Sequence, residues 1–158
     1  MPGDADLPRP AIPPDVPVSV HGTAVALDTS ADAACGLLLL GPAGAGKSTL
    51  AAELMVLGWT LVADDLVRLT RCRRAGLVVE APRAAPAIEL RGIGPVRPEA
   101  DRCGPSATLG AALWMGATGP RLPPPETWPE AGDVPLWRHR HAAGLAAKLT
   151  IAWRSTPL

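Results

Sequence analysis

A chain of 158 residues is long enough for one domain with its own core and short for two. Fifteen basic residues balance fifteen acidic ones, and Tyr and Phe are absent. The chain therefore lacks both the positive surface that phosphate backbones require and the rings on which single strands stack, so no nucleic-acid partner is expected.

The two lysines, Lys47 and Lys148, stand among thirteen arginines, and Asn and Gln do not occur. That is the bias of a GC-rich genome, and it makes a lysine at a motif position informative. Cys35, Cys72 and Cys103 lie far apart, with no C-x-x-C pair and no His/Cys ligand spacing. Such usage suits a reducing, cytoplasmic setting.

In chain order, residues 1–17 hold six prolines and predict a loose tail rather than strand or helix. The start has neither the basic nor the apolar region of a signal peptide. Residues 16–27 predict two short strands around His21 and Gly22, and residues 28–34 a small polar loop. Residues 35–40 form an apolar run, the pattern of a strand buried on both faces, but too short to span a bilayer; no membrane partner is expected. Leu50, Leu54 and Leu57 recur at helical spacing, and Gly58 is placed to stop that helix. Residues 59–63, 76–80 and 87–91 predict further strands. Pro95 and Pro98 then break the pattern, and residues 100–132 are too rich in Gly and Pro to assign. Leu145, Leu149 and Trp153 predict a helix over residues 142–153 packed along one face. Strands mixed with two helices predict an α/β domain over residues 18–158.

Gly41, Pro42, Ala43, Gly44, Ala45, Gly46, Lys47, Ser48 and Thr49 fill the pattern G-x-x-x-x-G-K-[ST] without a gap. Glycines at 41, 44 and 46 allow positive φ and turn N–H groups inward. With the following helix N-terminus they predict an anion cradle for a nucleotide. Lys47 would bring a point charge to the β- and γ-phosphates, and the Ser48 hydroxyl is the expected Mg²⁺ ligand. Downstream, Asp64 and Asp65 close an apolar strand, with Asp65 eighteen residues after Lys47. That interval holds one helix and one strand, which puts the acids beside the loop.

The stretch from Gly41 to Asp65 resembles the catalytic domain of HPr kinase/phosphorylase, the bacterial enzyme that phosphorylates a serine of the phosphocarrier HPr. The Val62-Ala63-Asp64-Asp65 strand end stands at the family's spacing from the loop. His21-Gly22 upstream, Glu89-Leu90-Arg91-Gly92-Ile93-Gly94 and the basic run around Arg138 and Arg140 are similar to further family landmarks, in the same order. The resemblance covers about residues 18–150. It implies a P-loop kinase fold of the HPr kinase/PEP carboxykinase type, with a mixed sheet and few helices. It also implies ATP and Mg²⁺ as cofactors, an HPr-type carrier as partner, possible reverse phosphorolysis giving pyrophosphate, and a hexameric homo-oligomer.

Carried over by residue, the resemblance makes Asp65 the general base. Asp64 supports it or holds a metal-bound water, and Ser48 and Glu89 ligate Mg²⁺. Lys47 and His21 act near the transferring phosphoryl group. Arg91, Gly92 and Gly94 belong to the signature segment. Arg121 corresponds to a catalytic arginine, and Arg138 and Arg140 to the partner loop. His141 stands where the family has Asn.

Plainer readings stand beside these. His21 could be a strand-end histidine, and Asp64 and Asp65 could cap a turn. Glu89 and Arg91 could be the solvated face of a strand, and residues 138–141 a solvated helix start. Arg71, Arg73 and Arg74 predict a solvated turn. Two rival functions remain: a P-loop kinase for a small metabolite, and a non-catalytic nucleotide sensor that binds a partner.

Overall fold

The structure, a computed structural model, describes residues 12–28, 34–83 and 85–155. Most of the tail expected at 1–17 and most of the loop expected at 28–34 lie outside those residues.

The chain begins with β1 (Val18–His21) and β2 (Thr23–Asp28). Gly22 joins them where a Cβ would approach the Leu39 carbonyl oxygen to 2.8 Å, so only glycine fits. The apolar run becomes β3 (Ala34–Leu40), with Leu37, Leu38, Leu39 and Leu40 fully buried. Each such leucine stabilises the fold by about 1.5–3 kcal/mol relative to exposure. α1 (Lys47–Val56) follows and ends before Gly58, whose φ of 97° halts it. Then come β4 (Thr60–Ala63), β5 (Leu66–Cys72), β6 (Gly76–Glu80) and the hairpin of β7 (Ile88–Leu90) and β8 (Gly94–Val96). β9 (Ser106–Trp114), β10 (Thr127–Trp128), β11 (Val134–Arg138) and α2 (Leu145–Arg154) complete the described elements.

The result is α/β, with a mixed sheet and only two α-helices among the described residues. The sheet order is β1-β5-β6-β9-β3-β2-β4, with β11 added on β9 and β10 on β11. β9 pairs with β3 along one edge; its other edge takes β6 at residues 106–108 and β11 at residues 112–114. β3, β9 and β11 are mutually parallel, and β4 shares their direction because both β3 and β4 are antiparallel to β2. Four strands therefore deliver their carboxyl ends to one rim, where ligands of open α/β sheets bind.

Alternation along β2 and β3 divides the core. Ala24, Ala26, Leu38 and Leu40 face one apolar cluster, and Val25, Leu27, Leu37 and Leu39 the other. The second cluster is closed by Leu50, Ala51 and Leu54 of α1 and by Leu145, Ala146 and Leu149 of α2. Buried Trp59, just before β4, donates to Thr150 Oγ1 at 2.9 Å and packs on Trp153 at 5.1 Å between rings, tying α2 to the sheet. Over the other face the sheet curls on itself, since β2 touches β5 although three strands lie between them.

Several expectations change. Residues 12–17 are not loose: Ile12 is buried, Pro14 bridges to Arg71, and the Asp15 N–H donates to the Arg71 carbonyl at 3.1 Å. Arg71 is no solvated turn residue. It lies in β5, unassigned from sequence, and donates to the carbonyls of Ile12 and Glu130. The unassigned span 100–132 contains β9, the strand between β3 and the β6/β11 edge. Its alanines and glycine are poor strand formers, but small residues are what the crowded centre admits; a Cβ on Gly110 would strike Cys35 Sγ and the Trp153 ring. Pro95 does not end the pattern. It sits inside β8, in a two-stranded hairpin where a missing N–H costs little. The basic run expected as a loop forms β11 up to Arg138.

Candidate functional site

The rim is built first by β3 running into the glycine-rich loop. Gly41, Gly44 and Gly46 have φ values of 150°, 79° and 92°. The Lys47 ammonium folds back and donates to the carbonyls of Gly41 at 2.8 Å and Pro42 at 3.0 Å, tying the loop to the helix it precedes. Burial lowers the Lys47 pKa from the ordinary lysine value, and the charges of Asp64 and Asp65 pull it back up. From behind, His141 packs against Gly46, where a Cβ would lie 3.0 Å from the His141 Cβ. The His141 ring meets the Glu53 carboxylate at 3.1 Å, joining the β11–α2 connection to α1.

At the end of β4 the two carboxylates separate. Asp64 Oδ1 accepts from Thr23 Oγ1 at 2.7 Å and from Ser48 Oγ at 2.8 Å; Oδ2 accepts from Ser48 at 3.1 Å and from the Glu89 N–H at 3.1 Å. Three segments of chain, β2, α1 and β7, thus converge on one carboxylate. Asp65 turns the other way. It sits at φ 68° between Asp64 and Leu66, whose N–H donates to the Asp64 carbonyl at 2.8 Å, a strained three-residue turn. The Asp65 side chain is 92% exposed, and His21 Nδ1 lies 3.9 Å from its Oδ1. That proximity follows from register, because His21 pairs with Leu66 across β1 and β5.

Thr23, Lys47, Ser48, Asp64, Asp65, Glu89 and others line a cavity of about 470 Å³. Glu89 and Arg91 reach it from the β7–β8 hairpin, which Gly92 turns with φ 84° and Gly94 with φ 117°. The paired Ser48 hydroxyl and Asp64 carboxylate are hard oxygen donors of the kind Mg²⁺ takes. Among the described residues no three His, Cys, Asp or Glu side chains cluster to hold a metal alone.

Other expected residues lie elsewhere. Arg121 is exposed and does not line this cavity. Arg138 is held by Glu126, its Nη2 donating to Oε1 at 2.6 Å and its Nε to Oε2 at 2.9 Å. The Arg140 N–H donates to Thr118 Oγ1 at 3.2 Å, and neither arginine lines the cavity. Sequence reasoning passed over Thr23 and Glu53 and gave His141 no role. Thr23 is buried, and nothing local to Thr23 or Glu53 marks either one. The break from the family's Asn was the only signal at His141.

The family model described as HPr Serine kinase C-terminal domain matches residues 17–98. HPr kinase/phosphorylase of Caldicellulosiruptor bescii is 48% identical over 60 residues, 37% of this chain and 19% of that relative. HPr kinase/phosphorylase of Lachnoclostridium phytofermentans is 41% identical over 78 residues, 49% of this chain and 24% of that relative. The chain thus matches about a fifth to a quarter of the length of these relatives. The solved Hpr(Ser) kinase/phosphatase from Coxiella burnetii superposes with a TM-score of 0.67 over 87% of each chain, at 23% identity, a likeness of fold.

Proposed function

The chain belongs to the HPr serine kinase C-terminal domain family, and from that premise we propose that it phosphorylates a serine of an HPr-type phosphocarrier protein, using ATP and Mg²⁺. The observation that carries the reading is the division of labour between adjacent carboxylates. Asp64 is fully engaged with Ser48, Thr23 and Glu89, whereas Asp65 stands exposed at the mouth of the same cavity.

A serine hydroxyl is a poor nucleophile until a positioned base takes its proton. Asp65 is that base: as the seryl oxygen bonds to the γ-phosphorus and the bond to the departing ADP breaks, the hydroxyl proton passes to the Asp65 carboxylate. Bound Mg²⁺ would neutralise charge on the phosphate oxygens. Ser48 and Asp64 would hold that cation, with Glu89 available from the facing hairpin. The glycine-rich loop, a P-loop in this reading, orients the phosphates through its N–H groups, and Lys47 stabilises charge on the group in transfer. His21 Nδ1, 3.9 Å from the Asp65 carboxylate, lies beside the group in transfer. In reverse, protonated Asp65 returns its proton to the leaving seryl oxygen while inorganic phosphate attacks, giving pyrophosphate.

The same reading includes a cytoplasmic homo-oligomer. No described helix is long and apolar enough to cross a membrane, and exposed Val56, Ile93 and Ile151 offer apolar surface for a second copy.

The test incubates the chain with Mg-ATP and the HPr-type protein of its own cell and reads intact mass. One phosphate on a serine, absent with Asp65→Asn and with Lys47→Ala, is the expected result. Nucleotide binding with no transfer to any carrier would overturn the kinase and leave a nucleotide sensor.

A further inference from the structure

Two polar side chains, Thr23 and Thr150, are buried among the described residues. Thr150 serves the core, where it accepts from Trp59 and donates to the Ala146 carbonyl. Thr23 serves the site. It is fully buried at the start of β2, borders the cavity beside the glycine-rich loop, and donates to Asp64 Oδ1 at 2.7 Å. Its place is set by the backbone. Ala24 pairs with Ala63 across β2 and β4, which brings Thr23 level with Asp64, and the Gly22 N–H donates to the Asp65 carbonyl at 3.1 Å. The hydroxyl thus reaches Asp64 from the end of a paired strand and not from a loop.

A carboxylate has about four acceptor sites, two on each oxygen. Thr23 and Ser48 fill both sites of Oδ1, at 2.7 Å and 2.8 Å. Ser48 carries one proton, so its 3.1 Å contact with Oδ2 is the weaker arm of the same bond. The Glu89 N–H fills one site of Oδ2 at 3.1 Å. The remaining acceptor site is on Oδ2, and a carboxylate in that state meets a cation through one oxygen. Mg²⁺ demands an octahedral shell and is served by single-oxygen contacts. Ca²⁺ takes six to eight oxygens at longer range and can use both oxygens of one carboxylate.

This inference rests on the reading that Ser48 and Asp64 hold the cation of the nucleotide. We propose that Thr23 is a positioning residue that makes the site selective for Mg²⁺ over Ca²⁺. Its hydroxyl fills Oδ1, fixes the plane of the Asp64 carboxylate and denies a larger cation the second oxygen. Without that hydroxyl Oδ1 regains an acceptor site, the carboxylate is free to turn, and two-oxygen binding opens. Groups that hold a metal ligand in place commonly change metal affinity by about 10–100-fold when they are removed.

The test titrates ADP into the chain by calorimetry, with excess Mg²⁺, with excess Ca²⁺ and with a chelator, so that no transfer is needed. In the unaltered chain ADP is expected to bind about tenfold or more tightly with Mg²⁺ than with Ca²⁺. Thr23→Val keeps the shape and removes the hydroxyl, and it should shrink that ratio about tenfold. Thr23→Ala, the second variant without a hydroxyl, should do the same, and Thr23→Ser should preserve the ratio. A merely structural loss would weaken binding with both cations alike and leave the ratio unmoved, which would overturn the proposal. So would a ratio that falls equally in Thr23→Ser, or an unaltered chain that binds ADP equally well with either cation. Each of these outcomes leaves the nucleotide site standing. ADP binding that is the same with either cation and with the chelator would sink the cation reading of Ser48 and Asp64 as well.

Discussion

The inner side of the candidate site, around Asp64, and its outer side, around Asp65, are one residue apart in sequence and opposite in physics. Inside, a carboxylate accepts from Thr23, Ser48 and the Glu89 N–H, and the groups it holds belong to β2, α1 and β7. Outside, a carboxylate on a strained turn is almost wholly exposed, with His21 Nδ1 at 3.9 Å. The difference teaches that the inner acid is architecture as well as a candidate cation ligand, whereas the outer acid has no structural work to do. A residue left free at the mouth of a cavity is available to move a proton; one holding three segments together is not.

The largest expected effect separates the two acids. Asp65→Asn should lower phosphoryl transfer by about 10²–10⁴-fold, the usual worth of a positioned general base. Because the side chain is exposed, the melting temperature should move little, and nucleotide affinity should hold within about twofold. Single-turnover kinetics beside a nucleotide titration read both, and an equal loss in binding would erase the division of labour.

Asp64→Ala should do the reverse. It leaves buried Thr23 and the Glu89 N–H without their acceptor, costing about 1–3 kcal/mol of stability, and it removes the partner of Ser48. For a domain of this size that is a fall of about 2–12 °C in melting temperature, with weakened Mg-nucleotide binding. Calorimetry with and without Mg-nucleotide checks it; a stable variant would mean that Asp64 is not a structural tie.

The pH dependence of nucleotide binding sharpens the same contrast through Lys47. A lysine whose pKa is lowered keeps its charge at low pH and loses it as pH rises through the lowered value. Nucleotide affinity should therefore decline on the alkaline side before an ordinary lysine would titrate. Asp64→Asn or Asp65→Asn removes a charge that raises this pKa, so the alkaline limb should move to lower pH. Titrations across pH read the limb directly, and a limb unmoved in both variants would assign it to another group.

The smallest effect lies at the back of the loop. His141→Ala breaks a part-exposed pair with Glu53, worth about 0.2–1 kcal/mol, and removes the wall behind Gly46. A few-fold rise in the nucleotide dissociation constant with an unchanged fold is expected. Gly46→Ala, by contrast, meets both a φ of 92° and His141 itself, and should cost about 1–3 kcal/mol in denaturant unfolding.

The glycine-rich loop, the buried strand before it, the helix after it and the acidic strand end were all legible, because each is written in consecutive residues. Ser48 and Asp64 could be named as neighbours from one helix and one strand of intervening chain. β9 was not legible, since its alanines are chosen by the space between β3, β6 and β11 and not by strand propensity. β5 alternates Val67 and Leu69 with Arg68 and Thr70, but its arginines disguised it as a turn. The Arg138–Glu126 pair could not be read either, because a guanidinium offered to a partner and one spent within the chain look the same as letters.

What the sequence determined by itself is therefore the local chemistry: a loop able to cradle phosphate, a lysine and a serine at its end, and two carboxylates beside it. Only the tertiary structure decided which carboxylate is tied and which is free. That outcome depends on Thr23 and the Glu89 N–H, 41 and 25 residues from Asp64. It depends also on the pairing of β1 with β5, which carries His21 to Asp65. Hydrogen bonds and charges act over a few ångströms of space and are indifferent to distance along the chain.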